Sequence, residues 1–267
     1  MKIIGCFALS ISLCIAGCGN IKWFPGGNSG SPALTMAFGT TTAQIGDPVT
    51  LTFTITNVTD NPAQSNLTFS DTLGNFTNGH GTFPVFVAIP PNFTTTCGGA
   101  IYSGSSTTTT VSPGDQSFTF SGGSLTAGQT SCTVSIDVTS NASTDATPLY
   151  TNGPGNVTSN LDQSNLTAQS LAFTPFPTPP VGNLSATDLV VNTANTQISL
   201  YVSNSGNAAV PATVTVEGFD TTSALQYTAT INNNNNSVSP GGNFQPFSQT
   251  VSGVPAAAIA WKITDIK

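Results

Sequence analysis

Apolar residues in this chain recur at every second position over short stretches. In residues 49–57, VTLTFTITN, Val49, Leu51, Phe53 and Ile55 fall on one face and Thr50, Thr52, Thr54 and Thr56 on the other. That alternation, rich in β-branched residues, predicts a half-buried strand. Residues 132–138, CTVSIDV, repeat the pattern and bury Cys132, Val134, Ile136 and Val138, while SFTF (117–120) and FPVFV (83–87) give shorter strands. Gly46-Asp47-Pro48, Gly98-Gly99, Pro113-Gly114-Asp115 and Gly122-Gly123 read as the turns between them. Alternation resumes at 186–191, 196–204, 212–218, 224–231 and 258–266, where Ile259, Trp261 and Ile263 share a core-facing row. Beyond residue 17 no stretch keeps helical apolar spacing. The expectation is an all-β chain of two immunoglobulin-like β-sandwiches in tandem.

Prolines 175, 177, 179 and 180 interrupt the pattern within AFTPFPTPPVG, residues 172–182. Proline cannot serve a central strand, so this segment predicts a stiff polyproline linker over 173–183. The first sandwich then occupies 34–172 and the second 184–267. The polar runs at 107–110 and 232–236 read as loop tips.

The amino-terminal segment is of a different kind. Lys2 is followed by an apolar run over 3–17, shorter than the roughly 20 residues of a membrane-spanning helix. It reads as a signal peptide that is removed. Ile15-Ala16-Gly17-Cys18 resembles the lipobox of bacterial lipoproteins. That resemblance implies a diacylglycerol on the Cys18 thiol, cleavage before Cys18, and acylation (palmitate or a similar chain) of the new amino group. Several acyl chains, at about 0.8 kcal/mol per buried methylene, hold a membrane where one chain is reversible. The alternative is an ordinary secretory peptide whose Cys18 pairs elsewhere. Gly19 stands where such lipoproteins carry Asp for inner-membrane retention, which points to an outer membrane. Residues 18–33 form the lipidated cysteine and a flexible tether, with Trp23 and Phe24 either resting at headgroups or unpacked.

Five segments of the first sandwich resemble the conserved-repeat, immunoglobulin-like domains found in tandem on bacterial surface proteins. They are IGDPVTLTFTITN, NLTFSDTLGN, TTTCGGAI, SGGSLTAGQTSCTVSIDVTS and YTNGPGNVTS. In that family the proline usual after Asp-Thr-Leu is replaced here by Gly74, and Asp47 and Asp71 take structural places. The second sandwich, through DLVV and ISLYVSNSGNAAVPATVTVEG, is similar to the cell-adhesion-related immunoglobulin-like module of bacteria. Both resemblances imply scaffolding or adhesion, and neither supplies a ligand.

Composition narrows the partners. Charged residues are 6% of the chain, with four Lys, no Arg and 11 acidic residues, for a net charge of −7. No basic patch exists to release counterions from a phosphate backbone, so nucleic acid is not an expected partner, and an anionic membrane surface gains nothing electrostatically. With few groups to titrate, the chain should tolerate pH change and suits an acidic exterior. Export leaves Cys97 and Cys132 as an even pair, either a disulfide or two separate buried thiols.

Candidate chemistry is sparse. His80, in TNGHGTF, reads as a solvated loop histidine, and no second histidine is present to complete a metal centre. Asp60, Asp71, Asp115, Asp145, Asp162 and Asp220 read mostly as turn residues. Asn-x-Ser/Thr sequences, from Asn57 to Asn235, are expected to stay unmodified. No catalytic, cofactor or metal residue is assigned. The expected function is a non-enzymatic, lipid-anchored structural, adhesion or protein-interaction module of the cell envelope. One alternative is a carbohydrate-binding module stacking sugars on Trp23, Tyr102, Tyr150, Tyr201, Tyr227 or Trp261. Another is a filament or matrix subunit that assembles by strand addition.

Overall fold

The computed structural model describes residues 30–144, 149–177, 183–192, 194 and 196–267, with backbone only for 233–236. Cys18, Trp23, Phe24, the tether up to residue 29, Asp145, Pro179 and Pro180 lie outside the described residues. Thirteen strands build the first unit: β1 (Ala33–Phe38), β2 (Thr42–Gln44), β3 (Val49–Thr56), β4 (Gln64–Thr72), β5 (Asn75–Asn78), β6 (Gly81–Val87) and β7 (Thr94–Thr95), then β8 (Ala100–Ser103), β9 (Ser117–Leu125), β10 (Ser131–Ser140), β11 (Tyr150–Asn152), β12 (Val157–Ser159) and β13 (Gln169–Thr174). Seven build the second: β14 (Phe176–Pro177), β15 (Leu184–Asn192), β16 (Gln197–Asn204), β17 (Val210–Phe219), β18 (Leu225–Val238), β19 (Gln245–Thr250) and β20 (Ala260–Ile266). The chain is all-β among the described residues, with two β-sandwiches in tandem.

In the first sandwich one sheet runs β1-β3-β10-β6-β5, with β7 on β10, and faces a second of order β12-β4-β9-β8. A small third sheet, β11-β13-β2, joins β13 to β2 in parallel. The alternating faces of β3 and β10 drive this packing: Phe53 meets Phe69 of the opposite sheet at 4.4 Å between centroids, and Phe69 meets Phe120 at 5.4 Å. Phe53 and Phe69 are both essentially sealed from solvent. Burying each side chain contributes on the order of 2–3 kcal/mol. In the second sandwich β14-β15-β16-β19 faces β18-β17-β20.

Gly74, at the departure from the Asp-Thr-Leu-Pro pattern, has φ +72°. Proline's fixed negative φ could not make that turn, whereas glycine reaches it without strain. The Cys97–Cys132 disulfide closes the β7–β10 corner, with Cα atoms 5.1 Å apart. Beside it Gly99 has φ +75°, and a Cβ there would lie 2.6 Å from the Ser121 carbonyl oxygen. The loop therefore rests directly on the backbone of β9.

Several expectations are corrected. Gly122-Gly123 is not a turn: both residues lie inside β9, where the register against β4 shifts and a Cβ on Gly123 would strike the Phe120 ring at 2.6 Å. Glycine here marks a bulge and a close approach. The run at 232–236 is not a loop tip but part of the 14-residue strand β18. Its pairing with β17 shifts between Pro211 and Thr213, which accommodates the extra length. Trp261 and Ile263 are buried as expected, but Ile259 precedes β20 and is 45% exposed. The described part of the proline segment is not a spacer. Residues 173–174 end β13, and Phe176 and Pro177 already pair with Ala186 and Ser185. Pro177 is tolerated because β14 is an edge strand, where its missing N–H costs no ladder bond.

Candidate functional site at the junction of the sandwiches

The chain enters the first sandwich at one end and meets the second at the other. Ala33 pairs with Thr56, at the far end of β3 from Gly46, whose Cα approaches β20 closely enough that a Cβ would sit 3.5 Å from Lys262 Cβ. Along the eight residues of β3 these ends are about 23 Å apart. The second sandwich is thus stacked beyond the first, away from the amino-terminal end of β1.

What joins them is a polar cluster around Asp188. In β15 the register against β16 shifts between Thr187 and Val190, and Asp188 has φ +59°. A bulge re-aims one side chain out of the sheet's regular alternation, and here the carboxylate reaches the first sandwich. Its side chain is wholly buried. Oδ1 accepts hydrogen bonds from Asn78 Nδ2 at 3.0 Å and from Thr187 Oγ1 at 3.0 Å. Oδ2 is bonded to His80 Nδ1.

His80 gets there because Asn78 and Gly81 are paired across the β5–β6 hairpin, leaving Gly79 and His80 as a two-residue turn. Asn78 holds the turn: its Oδ1 accepts from the backbone N–H of His80 at 2.8 Å and of Gly81 at 3.1 Å. Its Nδ2 also donates to the Ser143 carbonyl at 2.8 Å. The imidazole lies flat on Tyr201 of the second sandwich, centroids 4.0 Å apart and planes 6° from parallel, with Phe244 edge-on at 5.7 Å. Two backbone links complete the junction: Ser143 N–H to Thr187 Oγ1 at 2.8 Å and Leu189 N–H to the Asn141 carbonyl at 3.0 Å. Beside them, Phe86, Gly114 and Asn141 meet Ile259, Ala260 and Trp261 around an apolar hollow of about 100 Å³.

His80 is therefore not a solvated loop histidine. Its side chain is 21% exposed, and one ring nitrogen is committed to a buried carboxylate across the junction. Neither the partners nor the geometry were visible in sequence, although two local signals existed: an Asn-Gly-His-Gly turn between alternating segments, and an acid inside the apolar row of ATDLVV.

Other aspartates divide sharply. Asp115, Asp162 and Asp220 accept local backbone N–H groups in turns, as expected, and for Asp220 the hydrogen bond from the Thr222 side chain leads the causes that lower its pKa. Asp71 instead lies inside β4 with no exposed surface. Asp137, in β10, is buried against Thr50 Oγ1 at 2.7 Å and Asn92 Nδ2 at 2.8 Å. Among the described residues no three His, Cys, Asp or Glu side chains converge. No helix among them is long and apolar enough to cross a membrane.

Of the aromatics named for sugar stacking, Trp23 lies outside the described residues and the others are buried or half-buried. Tyr150 and Trp261 are buried, Tyr201 carries His80, and Tyr227 donates its hydroxyl to the Ser252 carbonyl at 2.7 Å with its ring edge-on to Trp261. Tyr102 is half-buried in β8. At the β18 edge of its sheet, the Asn232 N–H is accepted by Gln249 Oε1 at 3.1 Å.

A family described as "Domain of unknown function (DUF7933)" matches residues 32–173. Among solved structures the chain is similar to the pilus backbone RrgB from Streptococcus pneumoniae, with 13% identity and a TM-score of 0.27 over 87% of this chain and 55% of that one. It is also similar to the full-length RrgB pilus protein, with 14% identity and a TM-score of 0.22 over 87% of this chain and 40% of that one. The chain spans about half the length of these pilus chains. A comparison with curated proteins finds no match.

Proposed function

The chain belongs to the DUF7933 family through its first sandwich, and on that premise we propose that it is a non-enzymatic spacer and interaction module of the bacterial cell envelope, anchored by lipid on Cys18. The observation that carries the spacer reading is the sealing of Asp188 in the second sandwich by donors from the first, Asn78 and His80. A buried carboxylate that loses such donors is left uncompensated, at a cost of several kcal/mol. The junction therefore resists bending, and the two sandwiches extend as one stiff arm from the tethered end. Scaffolding or adhesion needs that property; turnover does not.

The lipobox-like Ile15-Ala16-Gly17-Cys18 supports the anchoring part of the reading. An outer membrane is its expected location, with a protein or glycan partner held at the far end of the arm. The test is fractionation of cells expressing the chain and its Cys18→Ser variant. The expected result is envelope association of the parent and release of the variant by high salt. A variant that still sediments with the envelope in high salt refutes the anchor, and a parent released by salt does so too.

A further inference from the structure

Asp71 and Asn152 face each other in the core of the first sandwich, and neither has any exposed surface. Asn152 Nδ2 donates to Asp71 Oδ2 at 2.7 Å. The other oxygen of each group, Asp71 Oδ1 and Asn152 Oδ1, has no hydrogen-bond partner. Two buried acceptors without donors thus sit on two side chains that are already bonded. A carboxylate has no hydrogen to give, but a carboxylic acid has one O–H. A single proton on Asp71 Oδ1 would supply the one donor that the two orphaned acceptors lack.

The surroundings argue for the same state. Across β4, Asp71 is paired with Phe118 of β9 on one side and Val157 of β12 on the other, both apolar. From β11 come Asn152 and Tyr150. Tyr150 is the titratable group set against Asp71, and its hydroxyl already donates to the Leu73 carbonyl. Among the described residues the ion pairs, His80–Asp188 and Lys267–Asp265, lie elsewhere, so no cation compensates an ionised Asp71. Leaving a charge there would incur an unrelieved desolvation penalty.

We propose that Asp71 is carried in the folded protein as a neutral carboxylic acid paired with the Asn152 carboxamide, and that this pair makes the first sandwich more stable in acid than at neutral or alkaline pH. Burial pushes the Asp71 carboxyl from its ordinary 3.8 up to about 7, against a smaller lowering by the Asn152 hydrogen bond. The same burial, reinforced by Asp71, raises Tyr150, which stays un-ionised. Below pH 4 the carboxyl is protonated in both folded and unfolded chains, and the full stability is present. Between about 4 and 7 the unfolded chain has lost the proton and the folded one retains it, so the folding constant falls about tenfold per pH unit. Over the three units between the two pKa values that is about a thousandfold, after which the dependence flattens.

The test combines chemical denaturation of the full chain from pH 4 to pH 8 with a residue-resolved NMR titration of the Asp71 carboxyl carbon. The parent is expected to lose about a thousandfold in folding constant, and Asp71→Asn to lose most of that slope. The carboxyl carbon should report a protonated acid at pH 5. Equal slopes in parent and variant overturn the proposal. Should Asp71→Asn fail to fold, the titration decides alone: an ionised Asp71 at pH 5 in the folded parent overturns it.

Discussion

Replacing His80 by Ala removes one side-chain hydrogen bond and two ring contacts, with Tyr201 and Phe244, from the junction while leaving both sandwich cores untouched. Asp188 keeps Asn78 and Thr187 on Oδ1 but loses the donor on Oδ2, with its side chain still wholly buried. A hydrogen bond to a charged group contributes about 1.5–3 kcal/mol. Loss of the ring stacked at 4.0 Å on Tyr201 adds about 0.5–1.5 kcal/mol. Docking of the two sandwiches should therefore weaken by about 2–4 kcal/mol, roughly a 30- to 1,000-fold shift towards an undocked pair. Two readouts separate this from general destabilisation. Solution scattering should show a broader distribution of end-to-end distances in His80→Ala, and the fluorescence of Trp261, in β20, should report earlier urea unfolding of the second sandwich. Unchanged scattering together with an unchanged Trp261 transition would mean that the Asp188 cluster does not hold the arm stiff, and the spacer reading would lose its support.

Three further outcomes follow from particular contacts. Cys97→Ser should destabilise the first sandwich by about 4 kcal/mol in the chain-entropy account, because the bond closes a loop across a separation of 35 residues; a denaturation midpoint equal to that of the parent would refute it. Trypsin should cut the folded chain after Lys22 and spare Lys262, which is tied into β20 with its ammonium 5.0 Å from the Phe219 ring centre, so mass spectrometry should show a fragment running from 23 to 267 and no product ending at Lys262. Gly99→Val should destabilise by more than about 2 kcal/mol, since the new Cβ meets the Ser121 carbonyl at 2.6 Å in a left-handed conformation that a β-branched residue rarely adopts; thermal melting checks it.

Period-two patterning carried most of the architecture because each long strand has one wet face and one dry one. VTLTFTITN and CTVSIDV became β3 and β10 with the buried residues the alternation named. The pattern fails where a strand departs from that geometry. Gly122-Gly123 resembles a turn in sequence because a bulge and a turn both require glycine for backbone reasons, and only the partner strand distinguishes them. The run at 232–236 lacks apolar residues altogether, so nothing in it signals that strand β18 continues through it, across the register shift between Asn232 and Ser237. The junction was illegible for a different reason. His80 and Asp188 are 108 residues apart, and a polar contact between modules has no period to betray it. Asp71, expected both in a turn and in a structural place of the family pattern, lies inside β4, and its burial depends on Asn152 and Tyr150, which the separate strand β11 brings to it.

Acidic residues are scarce in this chain, yet three of them, Asp71, Asp137 and Asp188, are buried. The physical logic is one of partner choice. Solubility rests on Thr, Ser, Asn and Gly, so the side chains of Asp137 and Asp188 are free to serve where one group must gather several donors at a fixed point, while Asp71 serves as the acid of a pair. Each buried aspartate is answered mainly by neutral groups: Asn152 at Asp71, Thr50 and Asn92 at Asp137, Asn78 and Thr187 beside His80 at Asp188. Hydrogen bonds from amides and hydroxyls act at contact distance inside the protein, where dissolved ions do not screen them as they screen exposed ion pairs. Stability built this way should vary little with salt while responding to pH through Asp71. The one described ion pair that involves an ammonium, Lys267 with Asp265, is exposed enough to contribute at most about 1 kcal/mol. Neutral donors around buried acids leave the packing of both sandwiches insensitive to ionic strength, because contacts made inside the protein are not screened.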